Sequence, residues 1–189
     1  DPLIDIDDWS DRYRILSSAA SAEPGPWRTS RVPYMREVFK CLSPSSPVEE
    51  VVVMKGAQLG FTEAATNWIG YIIDVTSGPV LAVQPTVDMA KRYSRQRVEQ
   101  LIETSSRIRD KIKEARSRDS GNTILSKEFP GGILVLTGAN SATGLRSLSA
   151  RFLLLDEIDA YPNDLDGEGD PLLLAKARTR TFSRRKMFL

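Results

Sequence analysis

The sequence predicts an α/β domain with a largely parallel central sheet flanked by helices, and three features carry that expectation. Short apolar runs, rich in valine in the first two, occur at residues 50–54, 80–83 and 151–155, the pattern of strands covered on both faces. Stretches with helical apolar spacing alternate with these runs, as strand–helix–strand units require. At 189 residues, 41% hydrophobic and 27% charged, the chain is long enough for one domain with a real core.

The elements follow in order. Residues 1–11 are acidic, and residues 17–33 (SSAASAEPGPWRTSRVP) read as an extended lead-in because prolines and small residues break a helix. Tyr34–Leu42 has the spacing of a short amphipathic helix, ended by Pro44. Glu50–Met54 reads as a buried strand. From Gly60 to about Asp74, the apolar positions Phe61, Ala65, Trp68, Ile69, Ile72 and Ile73 keep helical spacing. Residues 80–83 form a second buried strand, after which Thr86 is placed to cap a helix with the stripe Val87, Ala90, Ser94, Val98 and Leu101. A basic helical segment continues to about Arg116. Thr123–Phe129 and Ile133–Thr137, joined by Pro130-Gly131-Gly132, read as a hairpin. Arg151–Leu155 is an apolar strand ending at Asp156-Glu157, and Lys186–Leu189 is the start of another strand. The domain expectation is a lead-in at 1–33 and one α/β domain at 34–189.

Composition removes several chemistries. The chain has no histidine, so a Ser-His-Asp or Cys-His nucleophile, a His-ligated zinc and a histidine base are excluded within it. Cys41 is the lone cysteine and cannot form an internal disulfide. No apolar run approaches the ~20 residues of a membrane-crossing helix. The +1 net charge hides local asymmetry. Lys91–Arg118 carries ten bases against four acids, residues 156–170 carry seven carboxylates and no base, and Lys176–Lys186 carries six bases and no acid. Such blocks are either solvated surface or a division between a metal site and a polyanion track.

After the 50–54 strand comes Lys55-Gly56-Ala57-Gln58-Leu59-Gly60-Phe61-Thr62, then a helix. A loop between a strand and a helix N-terminus offers backbone N–H groups and a positive dipole end to phosphate. The standard P-loop, G-x-x-x-x-G-K-[ST], is not met literally. Phe61 stands at the lysine position and Lys55 at the first glycine. The second glycine and the hydroxyl remain, and the lysine is displaced to the strand end, from which it can fold onto phosphates. A glycine-containing turn with a surface lysine is the other reading.

The strand Arg151–Leu155 ends in Asp156-Glu157, the layout called Walker B. Asp156 is placed for Mg²⁺, and Glu157 for orienting and deprotonating an attacking water. A solvated acidic turn is the alternative, but two such features, each after a buried strand and in this order, point to a P-loop ATPase. Extra strands between the two motifs indicate the ASCE group, which uses a glutamate beside the Walker B aspartate.

The strings PWRTSRVPYMREVF, VVVMKGAQLGFTE, LAVQPT and TGANSATGLRSLSARFLLLDEIDAYP resemble the large terminase subunit of tailed bacteriophages, in particular its lambda-like GpA branch, over about residues 24–189. The resemblance implies an ATP- and Mg²⁺-dependent motor that pumps double-stranded viral DNA into a capsid. It also implies a coupling motif and a C-terminal nuclease domain beyond residue 189, so no nuclease activity is expected of this segment. By position, Lys55 and Thr62 match the family's phosphate and magnesium residues, with Gly56, Ala57, Gln58, Leu59, Gly60 and Phe61 forming the loop between them. Asp156 and Glu157 match its Walker B pair. Arg146 matches an arginine finger acting on a neighbour's ATP; Arg151 is the competitor, and a plain surface arginine is an alternative for either. Trp27, Arg28, Pro33, Tyr34 and Arg36 lie in the stretch that touches adenine, where Tyr34 or Trp27 stacks on the base or belongs to the core.

The partners implied are double-stranded DNA, a small terminase subunit and the portal of the procapsid. A homo-oligomer in the working motor, a monomer as the isolated domain, no membrane and the host cytoplasm complete the expectation. Lys91, Arg92, Arg95, Arg97 and Arg107–Arg118 are candidates to face DNA, or form a solvated basic face. A helicase-like nucleic-acid ATPase and a non-enzymatic module with an acidic metal or partner site are the rival readings.

Overall fold

The computed structural model describes residues 4–18, 21, 23–56, 59–112, 122–165 and 167–189. Six strands form the central sheet: β3 (Glu50–Val51), β4 (Val80–Gln84), β5 (Ser126–Phe129), β6 (Gly132–Gly138), β7 (Phe152–Leu155) and β8 (Lys186–Phe188). Their order is β3-β8-β7-β4-β6-β5. Every pairing is parallel except the β5–β6 hairpin. The α/β expectation with a largely parallel sheet is met, and β8 lies between the strand preceding the loop and the strand ending in Asp156. A separate two-residue pair, β1 (Ile15–Leu16) and β2 (Gly25–Pro26), folds the lead-in back on itself.

Strand alternation sorts the side chains into two layers. Val80, Ala82, Leu134, Leu136, Phe152, Leu154 and Phe188 face one layer. That layer holds α1 (Ile6–Tyr13), α2 (Met35–Leu42), α3 (Phe61–Tyr71) and the run α4 (Val87–Tyr93) to α5 (Glu99–Thr104), with α6 (Ser106–Arg109). Leu81, Val83, Leu153, Leu155 and Met187 face the other, with α7 (Ala142–Arg146) and α8 (Pro171–Ala177). All residues of β4, β7 and β8 are buried, because helices cover both faces of the sheet where these inner strands lie.

The long helices form where the periodicity places them. α3 continues through a π-helical turn, Ile72–Thr76, so the run reaches slightly beyond Asp74. The Thr86 side chain accepts from Met89 N (3.2 Å), the cap expected of it. A π-helical turn at Ser94–Val98 interrupts the single helix expected there, yet Ala90, Ser94, Val98 and Leu101 are all buried. The basic segment breaks at Ser105 and restarts as α6; its part beyond residue 112 lies outside the described residues.

Two expectations need correction. The buried strand at Glu50–Met54 is paired only at Glu50 and Val51, with Val53 N extending the ladder to Leu189 O (2.9 Å). Val52 and Met54 are exposed. β3 has one strand neighbour among the described residues, and an apolar run does not reveal how many neighbours a strand has. The acidic N-terminal stretch contains a helix, α1, whose Ile6 and Trp9 are fully buried against α2 and α3. Trp9 is held by close approach: a Cβ added at Gly70 would lie 2.5 Å from its Cη2. Its Nε1 donates to Asp74 Oδ2 (2.8 Å).

Candidate functional site

In an open parallel sheet, ligands bind beyond the carboxyl ends of the strands. Lys55 follows β3 and Asp156 follows β7 at that edge, and the two side chains meet across β8, with Lys55 Nζ 3.0 Å from Asp156 Oδ1. The carboxylate is 12% and the ammonium 27% exposed, so the pair is partly shielded but open to an incoming ligand. Residues 101 positions apart, singled out for the same chemistry, are thus in direct contact.

The loop between β3 and α3 curls as a glycine permits. Gly60 takes φ +81°, a left-handed conformation that L side chains rarely adopt, and stands at the start of α3. Thr62 sits in the first turn of that helix. Ala57 and Gln58 lie outside the described residues. Tyr34, the residue before α2, donates from its hydroxyl to Leu59 O (2.7 Å), and its ring lies 6.0 Å from that of Phe61. This leaves a half-exposed aromatic face beside the loop. Trp27 does not share that position. It is buried in the core, with Nε1 donating to Thr29 Oγ1 (3.0 Å), so stacking on a ligand is closed to it.

Glu157 is exposed and takes φ +54°, ψ +50°. Left-handed backbone at a non-glycine residue costs of order 1–3 kcal/mol and persists only where the surroundings impose it. Here Asp156 N is tied to Val83 O (3.1 Å), and a 3₁₀ turn (Ile158–Ala160) begins directly after Glu157. Tyr161 then donates to Val83 O (2.9 Å), locking the segment back onto β4. Burial, aided by the nearby Asp156 charge, raises the Tyr161 pKa, so the phenol stays a neutral donor.

Behind the loop, α3 is anchored by polar side chains that the sequence reading passed over. Thr66 Oγ1 donates to Thr62 O (2.8 Å) and lies 3.0 Å from Tyr93 Oη. The threonine's single proton is committed, so Tyr93 is the donor to it; burial raises the Tyr93 pKa and keeps that proton in place. Glu63 receives Arg14 Nη2 (3.0 Å) and Arg97 Nη1. Arg14 also donates from Nε to Asn67 Oδ1 (3.1 Å) and is 2% exposed. Burial lowers its pKa, with Glu63 working against that shift. A buried guanidinium is tolerated only with such partners. The clue was available: Glu63, Thr66, Asn67 and Gly70 recur at helical spacing, a polar stripe on a helix otherwise built for burial.

Among the described residues, four of the bases expected to face DNA pair with acids of the protein, while Arg92 and Arg95 are exposed. Arg97 pairs with Glu63, Lys91 with Asp88 (3.4 Å), and Arg107 and Lys111 with Asp74 (2.6 and 2.8 Å). The sequence shows the charges but not the acids that fold against them.

The two arginine candidates separate cleanly. Arg146 ends α7, which follows β6 at the carboxyl edge of the sheet, and its half-exposed side chain pairs with Glu168. Arg151 lies at the opposite edge, before β7. It donates to Arg184 O (3.2 Å) and Ser77 O (3.4 Å) and stacks 4.9 Å over Phe152.

Known proteins resemble this chain in sequence and in fold. The terminase large subunits of Enterobacteria phage P21 and Escherichia phage lambda are 25% and 24% identical over 171 and 172 residues, 90% of this chain. The chain spans about a quarter of their length, 26% of each. The crystal structure of the HK97 bacteriophage large terminase aligns with a TM-score of 0.73 at 9% identity, covering 97% of this chain and 36% of that one; at such identity it shows the fold alone. The family model described as phage terminase large subunit gpA, ATPase domain, matches residues 21–189. With that match running from the lead-in through β8, this chain belongs to the ATPase-domain family of gpA-type phage terminase large subunits.

Proposed function

We propose that this chain is the motor module of a large terminase, hydrolysing ATP to drive double-stranded viral DNA into a capsid. The observation that carries the reading is the contact of Lys55 with Asp156 across β8 at the carboxyl edge of the sheet, beside a glycine-curled helix entrance. Lys55 and the loop Gly56–Thr62 bind the phosphates, and nucleotide binding exchanges the lysine's partner from Asp156 to phosphate oxygens. Thr62 and Asp156 would hold Mg²⁺, one hydroxyl and one carboxylate being the hard oxygen donors that suit this ion. The ion, when bound, neutralises charge on the phosphates.

Glu157 is the base for the attacking water; the strained backbone that sets its carboxylate beyond the strand end supports this role. Arg146 acts in trans on a neighbouring subunit's ATP, supported by its place at the same edge of the sheet and its exposure. Tyr34 stacks on the adenine. Double-stranded DNA, a small terminase subunit, the portal of the procapsid and further copies of the chain are the partners of the working motor, in the host cytoplasm. No helix among the described residues is long and apolar enough to cross a membrane.

Lys55→Ala tests the reading directly. It removes the phosphate contact, and fluorescent-ATP titration should show affinity falling at least tenfold, about 1.4 kcal/mol or more. Unchanged affinity would make the loop a structural turn. ATP-driven separation of duplex strands without capsid dependence would point to a helicase-like motor instead.

A further inference from the structure

At the pole of the sheet opposite the nucleotide loop, two adjoining hollows of about 380 and 510 Å³ share Arg151, Ser183 and Arg184. One is walled by residues 44–49 and the other by the Thr76–Pro79 turn and Gly131, so together they form a continuous trough. Four bases line it (Arg151, Arg184, Arg185 and Lys186) against one acid, Glu49.

These bases have different duties. Lys186 Nζ is bound by the carbonyls of Cys41 (3.0 Å), Ser46 (2.8 Å) and Val48, which fixes the 44–48 wall and leaves a positive charge beneath it. Arg185 Nε holds Glu49 (3.0 Å), neutralising the trough's acid. Arg151 is braced by two carbonyls and stacked on Phe152. The exposed Arg184 side chain has no protein partner among the described residues. The trough therefore offers a free guanidinium beside a braced one, with the hydroxyls of Ser45 and Ser183 exposed next to them.

From this geometry we infer that the trough binds the phosphodiester backbone of duplex DNA, at a site separate from the ATP site. The inference rests on the motor reading above. Guanidinium and hydroxyl donors suit phosphate oxygens and carry no base readout. The lining aromatics, Phe152 and Phe182, are buried and half-buried, so the trough lacks the stacking platform that single strands use. It also lacks the exposed aromatic anchor typical of a protein-binding hot spot. Among the described residues, Lys91, Arg97, Arg107 and Lys111 pair with acids, while Arg184, like the exposed Arg92 and Arg95, has no side-chain partner.

The test is fluorescence anisotropy of a labelled random-sequence duplex with the chain, in about 0.1 M salt. Loss of one phosphate contact removes about 0.9 from the slope of log K against log salt, about an eightfold loss of affinity at that concentration. Arg184→Ala should show both effects, and Arg184→Glu a larger loss, with unchanged circular dichroism. Arg92→Glu, the same charge change on an exposed arginine of α4, should shift affinity less than twofold. Duplex binding that survives Arg184→Glu, or that Arg92→Glu weakens more, overturns the trough while leaving the motor reading intact. Absence of duplex binding by the unaltered chain overturns both. Polyglutamate competing as well as unlabelled duplex marks a general anion surface and also overturns the assignment.

Discussion

The seating of α1 on α3 is open to a double-mutant cycle between Gly70 and Trp9. A methyl group at Gly70 would meet Trp9 Cη2 at 2.5 Å and Cζ3 at 3.1 Å, with Leu101 Cδ1 at 3.2 Å. Trp9 is fully buried and tied to Asp74, so it cannot swing aside. Overpacking of this kind costs about 1–3 kcal/mol. Against it stands about 1 kcal/mol gained when alanine replaces glycine in a helix. Gly70→Ala alone should therefore destabilise the protein by about 0–2 kcal/mol. Trp9→Phe removes the outer ring that causes the clash and the hydrogen bond to the Asp74 carboxylate, the latter alone costing about 1.5–3 kcal/mol. In that background Gly70→Ala keeps the helix gain without the clash, and the Leu101 contact cancels in the cycle. The double variant should be more stable than the sum of the singles by about 1–3 kcal/mol, read from urea unfolding followed by far-ultraviolet circular dichroism. Additivity within about 0.5 kcal/mol would mean that α1 does not rest on Gly70.

Two further outcomes follow from the same packing and from the site. Burial of Asp74 would raise its pKa, but hydrogen bonds from Arg107, Lys111 and Trp9 outweigh it and hold the carboxyl below its ordinary value. A depressed carboxyl stabilises the fold above its unfolded pKa of about 3.9 and loses that contribution as pH falls through the folded value. Urea midpoints should drop as pH falls below about 4, and Asp74→Asn should be weaker at pH 7 but show a shallower acid limb; an equally steep limb would place the titration elsewhere. Mixing Arg146→Ala chains with Glu157→Ala chains should restore part of the ATP hydrolysis lost by each, because one supplies the finger and the other an intact base. No recovery at any ratio would remove Arg146 from the trans role.

The central strands were legible because burial on both faces leaves an unambiguous apolar run, as at Val80–Gln84 and Phe152–Leu155. Asp156 and Glu157 were legible as the polar stop to such a run. β3 was overread: Val52 and Met54 look like core residues, but the strand has one neighbour among the described residues and exposes them. α1 was missed because its acids dominate the composition, although Ile6, Trp9 and Tyr13 stand at helical spacing and bury the first two completely. Charge was the least legible property. Arg97, Arg107 and Lys111 read as a basic face, yet their partners, Glu63 and Asp74, lie 33 or more positions away and meet them only in the fold. Tertiary pairing of this sort leaves no local pattern. The same limit applied to Arg146 and Arg151, five positions apart in sequence and at opposite edges of the sheet.

The most direct test of the account is Glu157→Ala, with nucleotide binding and hydrolysis measured on the same preparation. Removing a positioned base from a bound substrate should lower single-turnover ATP hydrolysis by about 10²–10⁴-fold while fluorescent-ATP affinity stays within about threefold. Hydrolysis persisting within tenfold of the unaltered chain would contradict the assignment of Glu157, and with it the reading of this strand end as the catalytic centre.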